Sequence, residues 1–142
     1  MNRMFLLTSV LALGVFVSSN VVKAEDKDDD KIPSIEKIME TAHGDDGKGG
    51  IKAKVTSALK DKEWDTAQSG AKDWIKQASA LTKNKPPRGS EASWKKLSGA
   101  YEKNVKALAE AADKKDATKA KAAMTRLSTS CGGCHGVHKP KS

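Results

Sequence analysis

Two apolar stripes of nearly equal length constrain most tightly what this chain can become. Trp64, Ala67, Ala71, Trp74, Ala78 and Leu81 recur at steps of three and four, and so do Trp94, Leu97, Tyr101, Val105, Leu108 and Ala112. That period puts each set on one face of an α-helix of about five turns. The intervening Asn84-Lys85-Pro86-Pro87-Arg88-Gly89 cannot continue a helix, because neither proline has an N–H to give to the ladder. Ser90 then supplies a side-chain oxygen suited to cap the next helix. Two long amphipathic helices joined by so short a loop must lie antiparallel and bury their stripes together.

The remaining segments carry the same period. Pro33-Ser34 opens a first helix, predicted over Ser34 to His43, with Ile35, Ile38, Met39 and Ala42 on one side and Gly44 ending it. Gly44 to Gly50 is a polar glycine-rich loop without the spacing of a phosphate-binding loop. A short, weakly amphipathic helix is expected from Ile51 to Lys60, followed by a break between Asp61 and Asp65. After a turn at Asp113 to Asp116, a last helix carries Ala120, Met124, Leu127, Cys131 and Cys134 on one stripe. No stretch alternates with period two. The predicted fold is all-α, an antiparallel four-helix bundle, with the tryptophans as core anchors.

Residues 1–24 read as a cleaved secretory signal peptide. Arg3 gives a positive start, Met4 to Val17 is almost wholly apolar, and Val22-Lys23-Ala24 ends in the small-residue pattern of a cleavage site. The apolar run is shorter than the ~20 residues that span a bilayer, so no stable membrane span is expected after cleavage. The expected product is exported to the periplasm, with residues 25–33 a flexible charged lead and residues 34–142 one helical domain. Lys and Arg number 26 against 18 Asp and Glu, and the leader holds only two of the basic residues, so the mature chain stays basic. That balance suits a solvated surface or acidic protein partners. Nucleic acid is excluded, since the lysines form no stripe and aromatic residues are only 4% of the chain. With 37% hydrophobic residues, signal included, the core must be thin.

The last helix ends in the pattern with the most chemistry, Cys131-Gly132-Gly133-Cys134-His135. C-x-x-C-H is the attachment site of a c-type haem: two thiols add to the porphyrin vinyl groups, and the following imidazole coordinates iron. At i and i+3 on a helix both thiols point to one side. Glycine between them costs helix stability, about 1 kcal/mol each relative to alanine, but lets a macrocycle lie close to the backbone. A disulfide across two glycines would close a very small loop and stabilise little. A zinc site would have to draw Cys131, Cys134 and His135 or His138 from one short tail. His138 is expected in a solvated tail. A buried porphyrin would supply apolar surface that the thin core lacks, so the haem-free chain is expected to be loosely packed or unfolded.

A C-x-x-C-H motif in the last helix of a four-helix pattern, with almost nothing after it, resembles the class II c-type cytochromes, the group of cytochrome c-prime and its low-spin relatives. The resemblance runs from about Ile35 to His138. It implies one haem c held by Cys131 and Cys134, with His135 as proximal ligand and the first helix approaching the other face of iron. Met39 stands where low-spin members carry a methionine ligand, and His43 one turn later is the alternative; with neither bound, iron would be five-coordinate and open to small gases. The function implied is one-electron transfer with protein redox partners, acidic ones by charge, and not an enzyme activity, since no catalytic acid, base or cleft is evident. The resemblance leaves a homodimer open.

Overall fold

The computed structural model describes residues 31–140. The leader and most of the lead, residues 25–30, lie outside the described residues. Among the described residues the chain is all-helical: α1 (Ile35–His43), α2 (Gly50–Lys60), α3 (Trp64–Lys83), α4 (Glu91–Asp113) and α5 (Ala117–His138). The three long helices follow one another through short connections, with α4 packed between α3 and α5, while α1 and α2 pack on α3 and on each other. The expected bundle therefore has its first position filled by a bent pair of short helices.

Local chemistry accounts for the boundaries. Ser34 Oγ accepts from the Lys37 amide, Ser90 Oγ from Ser93, and Asp116 Oδ1 from Lys119, so α1, α4 and α5 each begin on a side-chain cap. Gly44 ends α1 in a positive-φ conformation, as its sequence position predicted. The two tight turns at α2–α3 and α4–α5 are the expected breaks, yet each places a lysine in the left-handed region, Lys62 at φ 59° and Lys115 at φ 54°. In both, the following residue reaches back across the turn, Glu63 N to Ala58 O at 2.8 Å and Asp116 N to Ala111 O at 2.9 Å. These are the reverse bonds of a Schellman closure.

The core is built of small side chains. Among the described residues ten of the nineteen buried apolar side chains are alanine, so the helices approach closely around a few large groups, chiefly Trp74, Ile38, Leu81, Leu108 and Leu127. Gly70 allows the nearest approach of α2 to α3: a Cβ there would stand 2.7 Å from Val55 Cγ2. Trp74 and Trp94 are core anchors as expected. Trp64 is not; as the first residue of α3, at the rim beside the Lys62 turn, it is only half-buried.

Candidate functional site

Helix α5 runs unbroken through Gly132 and Gly133 to His138. Cys131 and Cys134 are half-buried free thiols on its inner side, and His135 is exposed. Cys131 Sγ donates to the Leu127 carbonyl at 3.3 Å, a bond within the helix that leaves the sulfur accessible. Burial pushes the Cys134 thiol above its ordinary pKa, with Cys131 adding a smaller push in the same direction. A Cβ built on Gly132, Gly133 or Gly136 meets nothing, so this turn of α5 presents open backbone.

A clasp from the Pro86-Pro87-Arg88-Gly89 loop holds the end of α5. The last carbonyls of a helix have no partner within it. Arg88 supplies one, donating from Nε to the Val137 carbonyl at 2.8 Å and from Nη2 to Gly136 at 2.6 Å. His138 answers in the other direction: its Nδ1 lies 2.7 Å from the Arg88 carbonyl, and because a carbonyl only accepts, Nδ1 carries the proton. Its Nε2 is 3.2 Å from Ser93 Oγ, and the ring stands edge-on to Trp94 at 5.2 Å. Gly89, at φ 78°, lets the loop close; a Cβ there would be 3.0 Å from His138 Nδ1.

His138 is thus 2% exposed, and the solvated tail expected from its position is corrected. The loop between the long helices folds back over the chain end, a contact spanning 50 residues that no local pattern announces. The same bonds take His138 out of a zinc set, and among the described residues no three His, Cys, Asp or Glu side chains converge as metal ligands.

The second wall of the site belongs to α1, α3 and α4. Tyr101 is 7% exposed, and its Oη accepts from Trp74 Nε1 and lies 2.9 Å from His43 Nε2. The His43 ring also meets the Trp74 ring edge-on at 5.7 Å. Burial lowers the His43 pKa from 6.5 to about 4, with smaller contributions from the charges of Lys52 and His135, so the imidazole is neutral. Burial also raises the Tyr101 pKa, partly offset by the Trp74 bond, with a small further rise from Cys131. His135 is therefore near enough to act on His43, and Cys131 on Tyr101. Met39 lies one turn before His43 on α1, half-buried against the same core that Cys134 and Met124 flank.

Glycines set where α1 stands. A Cβ on Gly50 would be 2.6 Å from the Thr41 carbonyl oxygen, and one on Gly44 would be 2.7 Å from Gly49 Cα. The loop that looked merely polar in sequence is a tight backbone crossing that fixes the end of α1, and with it His43. Sequence reasoning placed Tyr101 and Trp74 in the core but missed their polar atoms, and it missed the Arg88 clasp altogether.

This arrangement fits a covalently held haem. Two thiols share one helix face beside open glycine backbone, an exposed imidazole follows, and across from them stand a thioether, an imidazole and two large aromatic rings. Residues 89–139 match the family model described as Cytochrome C', a class II c-type cytochrome family. No curated protein and no solved structure gives a significant match. The matched segment takes in α4, α5 and the whole C-x-x-C-H turn, and it stops short of Met39 and His43. The family suggests a haem-binding c-type cytochrome with haem c bound covalently, as the motif alone implied.

Proposed function

We propose, from the Cytochrome C' match over residues 89–139 and the C-x-x-C-H turn inside it, that this protein is an exported one-electron carrier holding a single haem c. Cys131 and Cys134 provide the two thioethers, His135 the proximal nitrogen and Met39 the distal sulfur. The haem supplies reversible one-electron exchange at iron, and the chain supplies its surroundings. Trp74, Tyr101 and the alanine-rich faces of α3 and α4 keep water from the inner side, which lowers the reorganisation that charge change requires. The Arg88 and His138 clasp holds the proximal turn in place. A methionine ligand raises the reduction potential relative to a second histidine. The basic surface suits acidic redox proteins as partners. Among the described residues no helix is long and apolar enough to cross a membrane; the leader pattern in residues 1–24 is what supports a periplasmic location.

The observation that carries the methionine assignment is the bond between His43 Nε2 and Tyr101 Oη, which engages the rival ligand. A second reading is favoured by the matched family itself: a cytochrome c-prime with no side chain on the distal face, binding small gases. Optical spectra of ferric and ferrous protein, with and without carbon monoxide, separate the two in wild type, Met39→Ala and His43→Ala. A low-spin wild type that becomes high-spin in Met39→Ala alone supports the carrier; a high-spin wild type that binds carbon monoxide freely sinks it.

A further inference from the structure

Resting on the haem reading above, we propose that Tyr101 is a positioning residue that withholds His43 from iron. The inference follows from counting hydrogens along Trp74, Tyr101 and His43. An indole N–H can only donate, so Tyr101 Oη is the acceptor in its bond with Trp74. The phenol hydrogen then needs an acceptor of its own, and the atom within reach is His43 Nε2 at 2.9 Å. With Nε2 accepting, the neutral ring carries its proton on Nδ1. Neither nitrogen is then available to a metal: one bears hydrogen, and the lone pair of the other is engaged.

The opposite arrangement is disfavoured inside the protein. Were Nε2 to donate to Tyr101, the phenol oxygen would receive two hydrogens while its own had no partner in a buried site, and a polar group left unpaired there is costly. Burial keeps His43 neutral, so a doubly protonated ring does not offer a third arrangement. The three rings also brace each other, with His43 edge-on to Trp74 at 5.7 Å and tilted on Tyr101 at 6.1 Å. Trp74 is fully buried, so the donor at the head of the relay cannot turn to water. Released from Tyr101, the same ring, one helical turn from Met39 and within electrostatic reach of His135, has a free Nε2 to offer.

The test uses the haem-loaded full protein in three forms: wild type, Tyr101→Phe, and Tyr101→Phe combined with His43→Ala. Tyr101→Phe keeps the ring and removes only the hydroxyl. It is expected to acquire the magnetic-resonance and near-infrared signature of bis-imidazole iron with a lowered midpoint potential, and the double variant is expected to lose both changes. A Tyr101→Phe protein with unchanged spectrum and potential overturns the proposal, as does bis-imidazole ligation already present in wild type. If wild type proves five-coordinate, the Met39 assignment falls, and Tyr101 is judged by whether its loss recruits His43. A wild type that takes up no haem overturns the reading and the proposal together. Should Tyr101→Phe fail to fold, ¹⁵N resonances of the His43 ring in ferrous wild-type protein decide: a proton on Nδ1 is expected, and a proton on Nε2 overturns the proposal.

Discussion

Replacing His138 by alanine would show whether the end of α5 is held from outside. The side chain is 2% exposed and makes two hydrogen bonds, to the Arg88 carbonyl at 2.7 Å and to Ser93 Oγ at 3.2 Å, besides its edge-on contact with Trp94. Two buried hydrogen bonds contribute about 1 kcal/mol each, and an aromatic pair about 1 kcal/mol more. These sum to about 3 kcal/mol, and the cavity left by the imidazole adds to the loss, so at least about 3 kcal/mol is expected for His138→Ala. For a domain of this size that is a drop of roughly 10 °C in melting temperature. The assay is urea unfolding followed by far-ultraviolet dichroism on haem-loaded protein, with Arg88→Ala and the double variant alongside. The two single losses should overlap, because each change releases the same loop, and the double variant should fall short of their sum. A His138→Ala protein within about 0.5 kcal/mol of wild type, the range of an ordinary surface substitution, would refute the clasp and return His138 to the solvent.

Gly70→Ala should destabilise by roughly 1 kcal/mol in the same urea assay, since overpacking Val55 at 2.7 Å outweighs the gain in helix propensity; an unchanged or higher midpoint would contradict the close α2–α3 approach. Lys115→Gly should raise the melting temperature by a few degrees, because the left-handed backbone at φ 54° costs an L-residue about 1–2 kcal/mol and glycine gives part of that back as chain entropy. A fall would contradict the Schellman geometry. The Glu102 carboxyl lies below its ordinary pKa, held down first by the hydrogen bond from Lys106 and next by that from Ser79. A carboxylate with a depressed folded value stabilises above its unfolded pKa and loses that contribution as pH falls through the folded one. Stability measured downward from about pH 6 should therefore decline less steeply in Glu102→Gln than in wild type, by at most about 1 kcal/mol for a pair whose lysine is exposed; parallel curves would show the pair to be without effect.

What the sequence made legible follows the range of the interactions. Helix starts at Ser34 and Ser90, the stop at Gly44 and the break at Pro86-Pro87 depend on residues a few positions apart, and all stand where local chemistry puts them. So does the C-x-x-C-H turn, whose meaning lies in five consecutive residues. Lys62 and Lys115 show the limit of that reasoning, since turn closure there overrides the preference for glycine. The hydrogen bonds that organise the site join Trp74 to Tyr101 across 27 residues, His43 to Tyr101 across 58, and His138 to Arg88 across 50. An apolar stripe registers a tyrosine ring and is silent about its hydroxyl, and a histidine three residues after the attachment motif looks solvated until the loop that covers it is in place.

These long-range bonds give the site two separately fastened sides. The attachment turn is held by the Arg88 loop clasping the end of α5 at Gly136, Val137 and His138, while His43 and Met39 take their place from the glycine crossing at Gly44 and Gly50. Between them stands the buried pair Trp74 and Tyr101, contributed by the two longest apolar stripes in the chain. The helices that most constrain the fold thus also present the donor that engages His43. A core this rich in alanine has few large groups to spare, and two of those few carry polar atoms joined in a relay that ends on the first helix. Their hydrogen bonds contribute only about 1 kcal/mol each to stability. They do set the tautomer of one imidazole, and with it which atom of α1 is free to bind.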